Sequence, residues 1–371
     1  MIINTNFPQL DMAGFSDSMK NRKLISMHST NPMPFSQVEL EDTIGQSFAS
    51  ILTNVDLGFA PDEGTLSLRK TLSEFHYKNR VADEIITFAG AQEALFCVYN
   101  ALLNKGDKVL AVSPIYQPLL QIPLNMGCEV STIELASADD WSLDLNKVEE
   151  SFKDGTRLFV INYPHNPTGT TLSSEEFLRI IDLCTQYDVW LLSDEVFRGL
   201  EHKSEYQLPT VADSYEKGIS VGVISKGYAV PGIRVGWLAC ANEKLRKAII
   251  NVKGYLSVCN SQLDECIAAE VLKYPDKLTQ RNLSIILPNK LHLSELNKLL
   301  GYSVKINIPR VGCCVFAELT DDKVSTEIVA RQVAKQTGFL IFPSDLFCTG
   351  QKGFRIGFGH QQFADFIRAC E

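Results

Sequence analysis

Short apolar runs alternate with amphipathic stretches through residues 46–255, and this alternation constrains the fold more than any other feature of the chain. Strands are predicted at residues 85–89, 108–112, 158–162, 189–193, 219–224 and 235–239, and helices at 92–103 and 174–187. Strands separated by helices predict a mainly parallel sheet, covered by helices on both faces, of the α/β class. Ligands of such sheets bind beyond the carboxyl ends of the strands, so the pattern also predicts where a site should lie.

The chain divides into three parts by its pattern. Residues 1–45 are irregular and rich in Asn, Ser, Met and Pro, and residues 46–255 carry the alternation and are predicted to form a large domain. Residues 256–371 begin with helices and are predicted to form a smaller α+β domain, joined by the N-terminal segment. Its strands and closing helix are predicted at residues 312–317, at 339–343 and from Gln361 onward. A chain of 371 residues exceeds one ordinary core, which also favours two lobes.

The composition argues against several classes of protein. A net charge of -9 and a pI near 5.3 argue against a nucleic-acid binder. No stretch is long and apolar enough to predict a membrane span, and the N-terminus does not resemble a secretory signal. The ten cysteines form no CxxC pair, which favours core thiols in a reduced, cytoplasmic protein and disfavours a zinc site.

A loop punctuated by Gly and Pro follows the strand at 219–224 and contains Lys226 and, eight residues later, Arg234. Partial desolvation would lower the pKa of such a lysine and make its amine a Schiff-base nucleophile. Arginine is a fixed cation suited to a phosphate. A lysine imine and a phosphate anchor are together what pyridoxal phosphate requires. Taken alone, the pair is better explained as a surface lysine and a structural arginine, so the other segments decide.

Two further loops follow predicted strands. Residues 89–95 (AGAQEAL) open a helix, and free N–H groups at a helix start bind phosphate, although many strand-to-helix turns contain glycine. Residues 162–169 (NYPHNPTG) contain two prolines and a glycine that would hold Asn166 rigidly at the sheet edge. Its amide could donate to a ring hydroxyl or an oxyanion there. The alternative, a turn asparagine bonded to its own backbone, explains so specific a string less well.

Two charged residues lie in or after apolar runs. Asp194 follows the strand at 189–192, where a carboxylate needs a cation or strong hydrogen bonds. A protonated pyridine nitrogen would supply that cation, and a helix N-cap is the alternative. Arg355 lies inside a late apolar strand, where its planar fork would suit a carboxylate. An internal salt bridge is the alternative for this arginine.

Taken together, and in this order, the strings resemble the fold-type I pyridoxal phosphate enzymes of aminotransferase class I/II from about residue 25 to the end. The resemblance implies a large domain with a mainly parallel sheet between helices, a smaller α+β domain, and a homodimer with active sites at its interface. It implies that Lys226 forms the internal aldimine and moves protons at the substrate's α carbon, while Asp194 pairs with the pyridine nitrogen. Arg355 would bind the substrate α-carboxylate. The other implied cofactor contacts are Asn166 at the ring hydroxyl, Tyr116 stacked on the ring, and Arg234, Ser225, Ala91 and Gln92 at the phosphate.

The chain departs from the family pattern at four positions. Phe197 and Phe59 replace tyrosines that usually reach the ring hydroxyl and the partner's phosphate. Val223 replaces a common serine ligand of the phosphate, and Thr30 occupies a place beside the substrate that is usually glycine. Loss of the tyrosine donor predicts a higher aldimine pKa. These changes argue against an ordinary transaminase, and they leave the predicted cofactor residues in place.

One branch of the family is most similar to the chain. Residues 162–169, 252–259 (VKGYLSVC) and 355–359 (RIGFG) resemble capreomycidine synthase-like enzymes, which cyclise a hydroxylated arginine. The resemblance implies α-proton loss to a quinonoid, departure of the hydroxyl as water, and addition of a guanidine nitrogen; related chemistry on γ-hydroxyarginine would give enduracididine. An aminotransferase with a 2-oxo acid acceptor is the alternative. A non-catalytic regulator that binds the cofactor would carry a helix-turn-helix domain and is disfavoured.

An arginine-like substrate would also require a carboxylate near the pocket mouth. Asp11, Glu39, Asp62 and Glu63 are available, and the sequence does not choose among them. His28 is a candidate second acid/base and substrate contact, because imidazole titrates near neutrality. A solvated loop histidine explains His28 equally well.

Overall fold

The computed structural model describes residues 10–19, 23–53, 55–321 and 323–370. The strands are β1 (Ile25–Ser26), β2 (Ile85–Phe88), β3 (Lys108–Ser113), β4 (Glu129–Glu134), β5 (Leu158–Ile161), β6 (Trp190–Asp194), β7 (Gly218–Val223), β8 (Gly236–Cys240), β9 (Lys298–Leu299), β10 (Tyr302–Ile306), β11 (Cys314–Leu319), β12 (Phe339–Leu340), β13 (Phe342–Pro343) and β14 (Gly353–Gly357). The helices are α1 (Asp11–Asp17), α2 (Gln37–Ile44), α3 (Phe48–Ile51), α4 (Leu66–His76), α5 (Ala91–Leu102), α6 (Pro118–Asn125), α7 (Leu145–Lys153), α8 (Ser174–Tyr187), α9 (Val211–Ser214), α10 (Glu243–Gly254), α11 (Gln262–Val271), α12 (Pro275–Leu291), α13 (Thr326–Thr337) and α14 (Phe363–Cys370).

A seven-stranded sheet in the order β2-β8-β7-β6-β5-β3-β4 forms the centre of the molecule. β8 runs antiparallel to both neighbours and the other pairs are parallel, so the sheet is mainly parallel, as the sequence predicts. Every residue of β5 and β7 is buried, because helices cover both faces. This burial is why the strands read as continuous apolar runs rather than as alternating patterns.

A second sheet is antiparallel, with five strands in the order β13-β14-β11-β10-β9. The strand predicted at 339–343 is divided between two sheets. β12 pairs in parallel with β1, and after Ile341 the chain crosses to β14, so two partners satisfy its backbone groups. The domain boundaries at residues 45 and 255 stay a prediction.

The central sheet brings the predicted site segments to one edge. β2, β3, β5, β6 and β7 run in the same direction, and β8 starts at the edge where they end. In register, Gly236 of β8 lies between Phe88 of β2 and Val223 of β7. The loops that follow these strands therefore converge, as expected of an open α/β sheet.

All ten cysteines are free thiols, and seven of them are buried. They act as small apolar groups within the cores. Within the described ranges, no helix combines the length and apolarity that a membrane crossing requires.

Candidate active site

Lys226 lies in the turn after β7, three residues past Val223. Its Nζ donates a hydrogen bond of 2.5 Å to the hydroxyl oxygen of Thr30. Burial, followed by the positive charge of Arg355, lowers the pKa of Lys226 to about 8. More of this amine is therefore neutral near pH 7 than in an exposed lysine, which is what a Schiff-base nucleophile requires.

Asp194 is the last residue of β6 and is only 5% exposed. Burial raises the pKa of its carboxyl to about 6, while the N–H of Val196, 3.3 Å from Oδ1, opposes that rise. Asn162 fixes the strand end by donating its Nδ2 to the Asp194 carbonyl at 2.8 Å. The next α-helix starts at Val211, so Asp194 is not a helix N-cap. A buried carboxylate of this kind fits a cationic ring nitrogen.

The start of α5 and Arg234 form a cradle for an anion. Helix α5 has no side-chain cap at Gly90, whose φ is 98°, so the N–H groups of Ala91 and Gln92 remain available. A Cβ on Gly236 would lie 2.4 Å from the Ala91 nitrogen, and a Cβ on Gly90 would lie 2.7 Å from the guanidinium of Arg234. Two glycines thus allow helix, strand and arginine to approach closely, which fits a phosphate group.

Three more predicted residues surround this space. Tyr116 follows β3, and burial, aided by the charge of Asp194, raises the pKa of its phenol. Asn166 donates its backbone N–H to Asn162 Oδ1 at 2.9 Å, which holds the loop after β5. Ser225 is buried next to Lys226. These residues, together with the cradle and Asp194, fit pyridoxal phosphate.

Arg355 lies in the middle of β14 and is 4% exposed. Its Nε donates to the His28 carbonyl and its Nη1 donates to Asn166 Oδ1, both at 3.1 Å. The guanidinium carbon lies 4.8 Å from the ring centre of Phe347 and 5.4 Å from that of Phe342. Burial lowers its pKa to about 10. No carboxylate in the described chain forms an ion pair with it, so this buried cation is available to a substrate carboxylate.

The surroundings of His28 differ from the expectation. Its ring stacks on Phe342 with 3.7 Å between centres, and its Nε2 shares a hydrogen bond of 2.8 Å with the Ser26 hydroxyl. Burial and the charge of Arg355 lower the pKa of His28 to about 3. The imidazole is therefore neutral at physiological pH and does not titrate near neutrality, which leaves it as a hydrogen-bonding group rather than a general acid.

The replaced family positions have different surroundings. Phe197 is 1% exposed and packs against Gly312, whose added Cβ would lie 3.4 Å from the ring. Val223 is buried at the end of β7 opposite Gly236. Phe59 is 91% exposed. Phe197 and Val223 are thus core residues, whereas Phe59 lies on the surface of the single chain.

Three of the four candidate carboxylates have other partners or lie on another surface. Glu39 forms an ion pair with Arg281 through Nε at 2.7 Å and Nη2 at 3.0 Å. Asp62 and Glu63 belong to the segment before α4, and the carbonyl of Asp62 accepts from Lys253 Nζ at 2.6 Å. That segment is held against α10 and α11 rather than against the Lys226 loop.

Asp11 has a different position. It is the first residue of α1, and its backbone N–H donates to Gln117 Oε1 at 2.9 Å. Gln117 directly follows Tyr116 in the chain. Phe15, one turn further along α1, meets Phe342 edge to face at 5.9 Å. Helix α1 therefore covers the side of the site formed by Tyr116 and Phe342.

Sequence reasoning missed a buried polar group below the cradle. Lys253 is fully buried with its Nζ 5.4 Å from the ring centre of Phe88, and its pKa is lowered by burial. Leu245, Ile249 and Lys253 are four residues apart, so they share the buried face of α10. That spacing is a signal in the sequence, because a lysine on an apolar stripe requires a buried partner.

Comparisons with known proteins agree with this site. The family Aminotransferase class I and II matches residues 45–364, and the chain belongs to this family of pyridoxal phosphate-dependent enzymes. Capreomycidine synthase of Streptomyces vinaceus is 28% identical over 274 residues, covering 74% of this chain and 69% of that protein. Arginine–pyruvate transaminase of Pseudomonas aeruginosa is 31% identical over 188 residues, covering 48% of this chain and 47% of that protein.

Solved structures of pyridoxal phosphate-dependent enzymes share this fold. A pyridoxal phosphate-dependent aminotransferase from Streptococcus suis has a TM-score of 0.88 and 25% identity, and the match covers 97% of this chain and 96% of that one. The predicted fold class and cofactor are thereby confirmed.

Proposed function

We propose that this enzyme dehydrates and cyclises a hydroxylated arginine, giving a cyclic guanidino amino acid of the capreomycidine or enduracididine type. The similarity to capreomycidine synthase over 74% of the chain favours this reaction over others of the family. The site supports amino-acid chemistry in general, because the Lys226 amine lies near the buried Asp194 carboxylate and near Arg355, which has no carboxylate partner among the described residues.

The cofactor would be held at both of its ends. The N–H groups of Ala91 and Gln92, with Ser225 and Arg234, would bind the phosphate at the start of α5. Asn166 would donate its Nδ2 to the ring hydroxyl, because its Oδ1 already accepts from Arg355. When bound, pyridoxal phosphate supplies an electron sink for the electron pair left on the substrate's α carbon.

The residues at the other side of the ring would control charge and orientation. Asp194 would keep the ring nitrogen protonated. Burial disfavours its charged carboxylate and raises its pKa to about 6, so a cationic partner would stabilise the charged form. Tyr116 would lie against the ring face. Arg355 would bind the α-carboxylate and so turn the α C–H bond toward Lys226.

Lys226 would move the proton. Its amine, with a pKa near 8, would take the α proton of the substrate onto Nζ. A hydroxyl on the β carbon would then leave with a proton as water, whereas a γ hydroxyl would leave only if the β carbon also gave up a proton, which it would later regain. A guanidine nitrogen would form the new C–N bond and lose one proton, while the α carbon regains one. The product differs from the substrate by one water, so no oxidant or amino acceptor is required.

The guanidinium of the substrate would be recognised by Asp11. Its helix covers the site beside Tyr116, and Glu39 already pairs with Arg281. His28, which is neutral and stacked on Phe342, would offer the substrate an uncharged hydrogen-bonding group on the side that helix α1 covers. Thr30 would lie beside the substrate near its α carbon.

Amino-group transfer to a 2-oxo acid is the second candidate. Arginine–pyruvate transaminase, at 31% identity, favours it, and so does the fold match to the Streptococcus suis aminotransferase. The same residues would serve, with Lys226 carrying the α proton away from the substrate without loss of a side-chain hydroxyl.

Mass spectrometry separates the two reactions. The cofactor-loaded enzyme is incubated with β- or γ-hydroxyarginine, with and without a 2-oxo acid. A product lighter by one water, with the amino group retained and no 2-oxo acid present, supports the cyclase. Turnover that requires a 2-oxo acid and converts it to an amino acid would replace the proposal with a transaminase. Lys226→Ala should be inactive in both arms.

We also propose that two copies form a homodimer with sites at the interface. Leu57, Phe59, Tyr255, Leu256 and Val258 are exposed and apolar, with Phe59 at 91% and Tyr255 at 93%. The contact from Lys253 to the Asp62 carbonyl ties the two segments into one surface. Exposed apolar side chains grouped in this way favour a protein partner. Analytical ultracentrifugation of Phe59→Asp should show more monomer than the wild type, and an unchanged dimer would contradict this interface.

A further inference from the structure

The hydroxyl of Thr30 is in direct contact with the amine of Lys226, at 2.5 Å. We infer that Thr30 is a positioning residue. It holds the amine of Lys226, when that amine carries no covalent bond to the cofactor, at the place where the amine exchanges a proton with the substrate's α carbon. The inference rests on the proposed role of Lys226 as proton carrier, and it applies equally to the cyclase and to the transaminase.

Backbone contacts on both sides hold the segment that carries Thr30. Met27 N donates to the Leu340 carbonyl at 2.9 Å, and Gly357 N donates to the Met27 carbonyl at 2.5 Å. A Cβ on Gly357 would lie 2.2 Å from the Ser29 carbonyl oxygen, so β14 approaches this segment too closely for any side chain at position 357. Thr30 itself is 8% exposed. These contacts fix the backbone of the segment, and with it the position from which the Thr30 side chain extends toward Lys226.

The other groups near Lys226 do not replace this contact. Arg355 opposes protonation of the amine, and Asp194 favours it. Cys313 and Cys314 are buried thiols, and burial raises the pKa of Cys314 to about 11, so both are neutral at physiological pH. His28, two residues before Thr30, is also neutral.

An uncharged acceptor at 2.5 Å has two effects on a lysine amine. It holds the end of a long, flexible side chain in one position, so that the amine is already ordered before it reacts. It also stabilises the ammonium form, since the charged amine is the better donor. A glycine at position 30, as the family pattern has, would provide neither effect.

The test compares Thr30→Val with Thr30→Ser. Valine has nearly the shape of threonine without the hydroxyl, whereas serine keeps the hydroxyl. In the loaded enzyme, α-deuterium incorporation from heavy water reports the proton exchange directly, whichever product follows. We expect Thr30→Val to lower kcat about 10- to 100-fold with KM changed less than about 3-fold, and Thr30→Ser to stay within about 3-fold of wild type.

A second readout requires no turnover. In the cofactor-free full chain, the pH dependence of amine labelling at Lys226, followed by peptide mass spectrometry, gives the pKa of that amine. We expect it to fall in Thr30→Val below the wild-type value near 8, and to stay unchanged in Thr30→Ser.

Each outcome decides the inference. An unchanged kcat and pKa in Thr30→Val would overturn it, as would a rise in KM alone, which would make Thr30 a plain substrate contact. Equal damage in the valine and serine variants would assign the effect to pocket shape. If wild type shows α-deuteration but no cyclised product, the proposed reaction fails while the role of Thr30 stands. If wild type shows no α-deuteration and Thr30→Val keeps the wild-type pKa, both fail.

Discussion

The buried carboxyl of Asp194 is expected to destabilise the cofactor-free protein. Burial raises its pKa from 3.8 to about 6. At 1.36 kcal/mol per pKa unit, this shift corresponds to about 3 kcal/mol of unfolding free energy at pH 7.5. Asp194→Asn keeps the size of the side chain and the Oδ1 acceptor for the Val196 N–H, and it removes the buried charge. We therefore expect the variant to be more stable than wild type by about 3 kcal/mol.

The sign of this effect fixes its pH dependence. Below about pH 4 the carboxyl is protonated in both the native and the unfolded chain, so the penalty is absent. Between about pH 4 and 6 the native chain binds a proton that the unfolded chain has released, so wild-type stability falls as the pH rises. The advantage of Asp194→Asn should be about 1 kcal/mol at pH 4.5 and about 3 kcal/mol at pH 7.5.

Urea unfolding of the cofactor-free protein at these two pH values measures the difference. The matched control is Asp17→Asn, because Asp17 is an exposed residue of α1. An equal gain at both pH values, or no gain at pH 7.5, would refute the reasoning. With pyridoxal phosphate bound, the order should reverse because the variant loses the ion pair. Asp194→Ala should reduce kcat far more than substrate affinity.

Three further substitutions test the cradle, the substrate cation and the buried network. Gly236→Ala adds a Cβ 2.4 Å from the first N–H of α5 and should weaken cofactor affinity about 10-fold or more by fluorescence titration, whereas Gly232→Ala, with open space around it, should not. Arg355→Lys loses the planar fork, so KM should rise about 10- to 100-fold in steady-state assays with a smaller change in kcat. Glu265→Ala leaves the Thr65 N–H, the Thr87 hydroxyl and the Asn260 amide without their buried acceptor. The unfolding free energy should fall by about 3 kcal/mol and Tm should fall with it, and an unchanged Tm would contradict the network.

The sequence predicted six of the seven central strands, because each of the six is a locally defined apolar run; the mostly exposed edge strand β4 was missed. Helix α8 has the predicted bounds, Ser174–Tyr187, since Ser173 and Glu176 form a capping box and its apolar residues recur at helical spacing. The predicted strands differ from the observed ones by one or two residues. Their convergence at one edge follows from the parallel topology, which the alternation with helices already required.

The contacts that decide the chemistry were not predictable in this way. Thr30 and Lys226 are 196 residues apart, and Arg355 and Asn166 are 189 apart, so no periodicity links them. The neutral state of His28 depends on its stacking with Phe342 and on the charge of Arg355, which a local sequence pattern does not contain. The transfer of the chain from one sheet to another at Ile341 was likewise invisible, because both halves are equally apolar.

Of the departures from the family pattern, Thr30 is expected to affect the reaction more than Phe197, and the contacts of residues 27–31 explain why. Phe197 is a core residue against Gly312, so its ring affects packing first. Residues 27–31 instead support both reactive sides of the site, since the His28 carbonyl holds Arg355 and the Thr30 hydroxyl holds Lys226. A shift of this backbone would move Arg355, the proposed carboxylate partner, and Lys226, the proposed proton carrier, together. Changes in the segment's backbone should therefore alter KM and kcat jointly, whereas loss of the Thr30 hydroxyl alone should alter kcat.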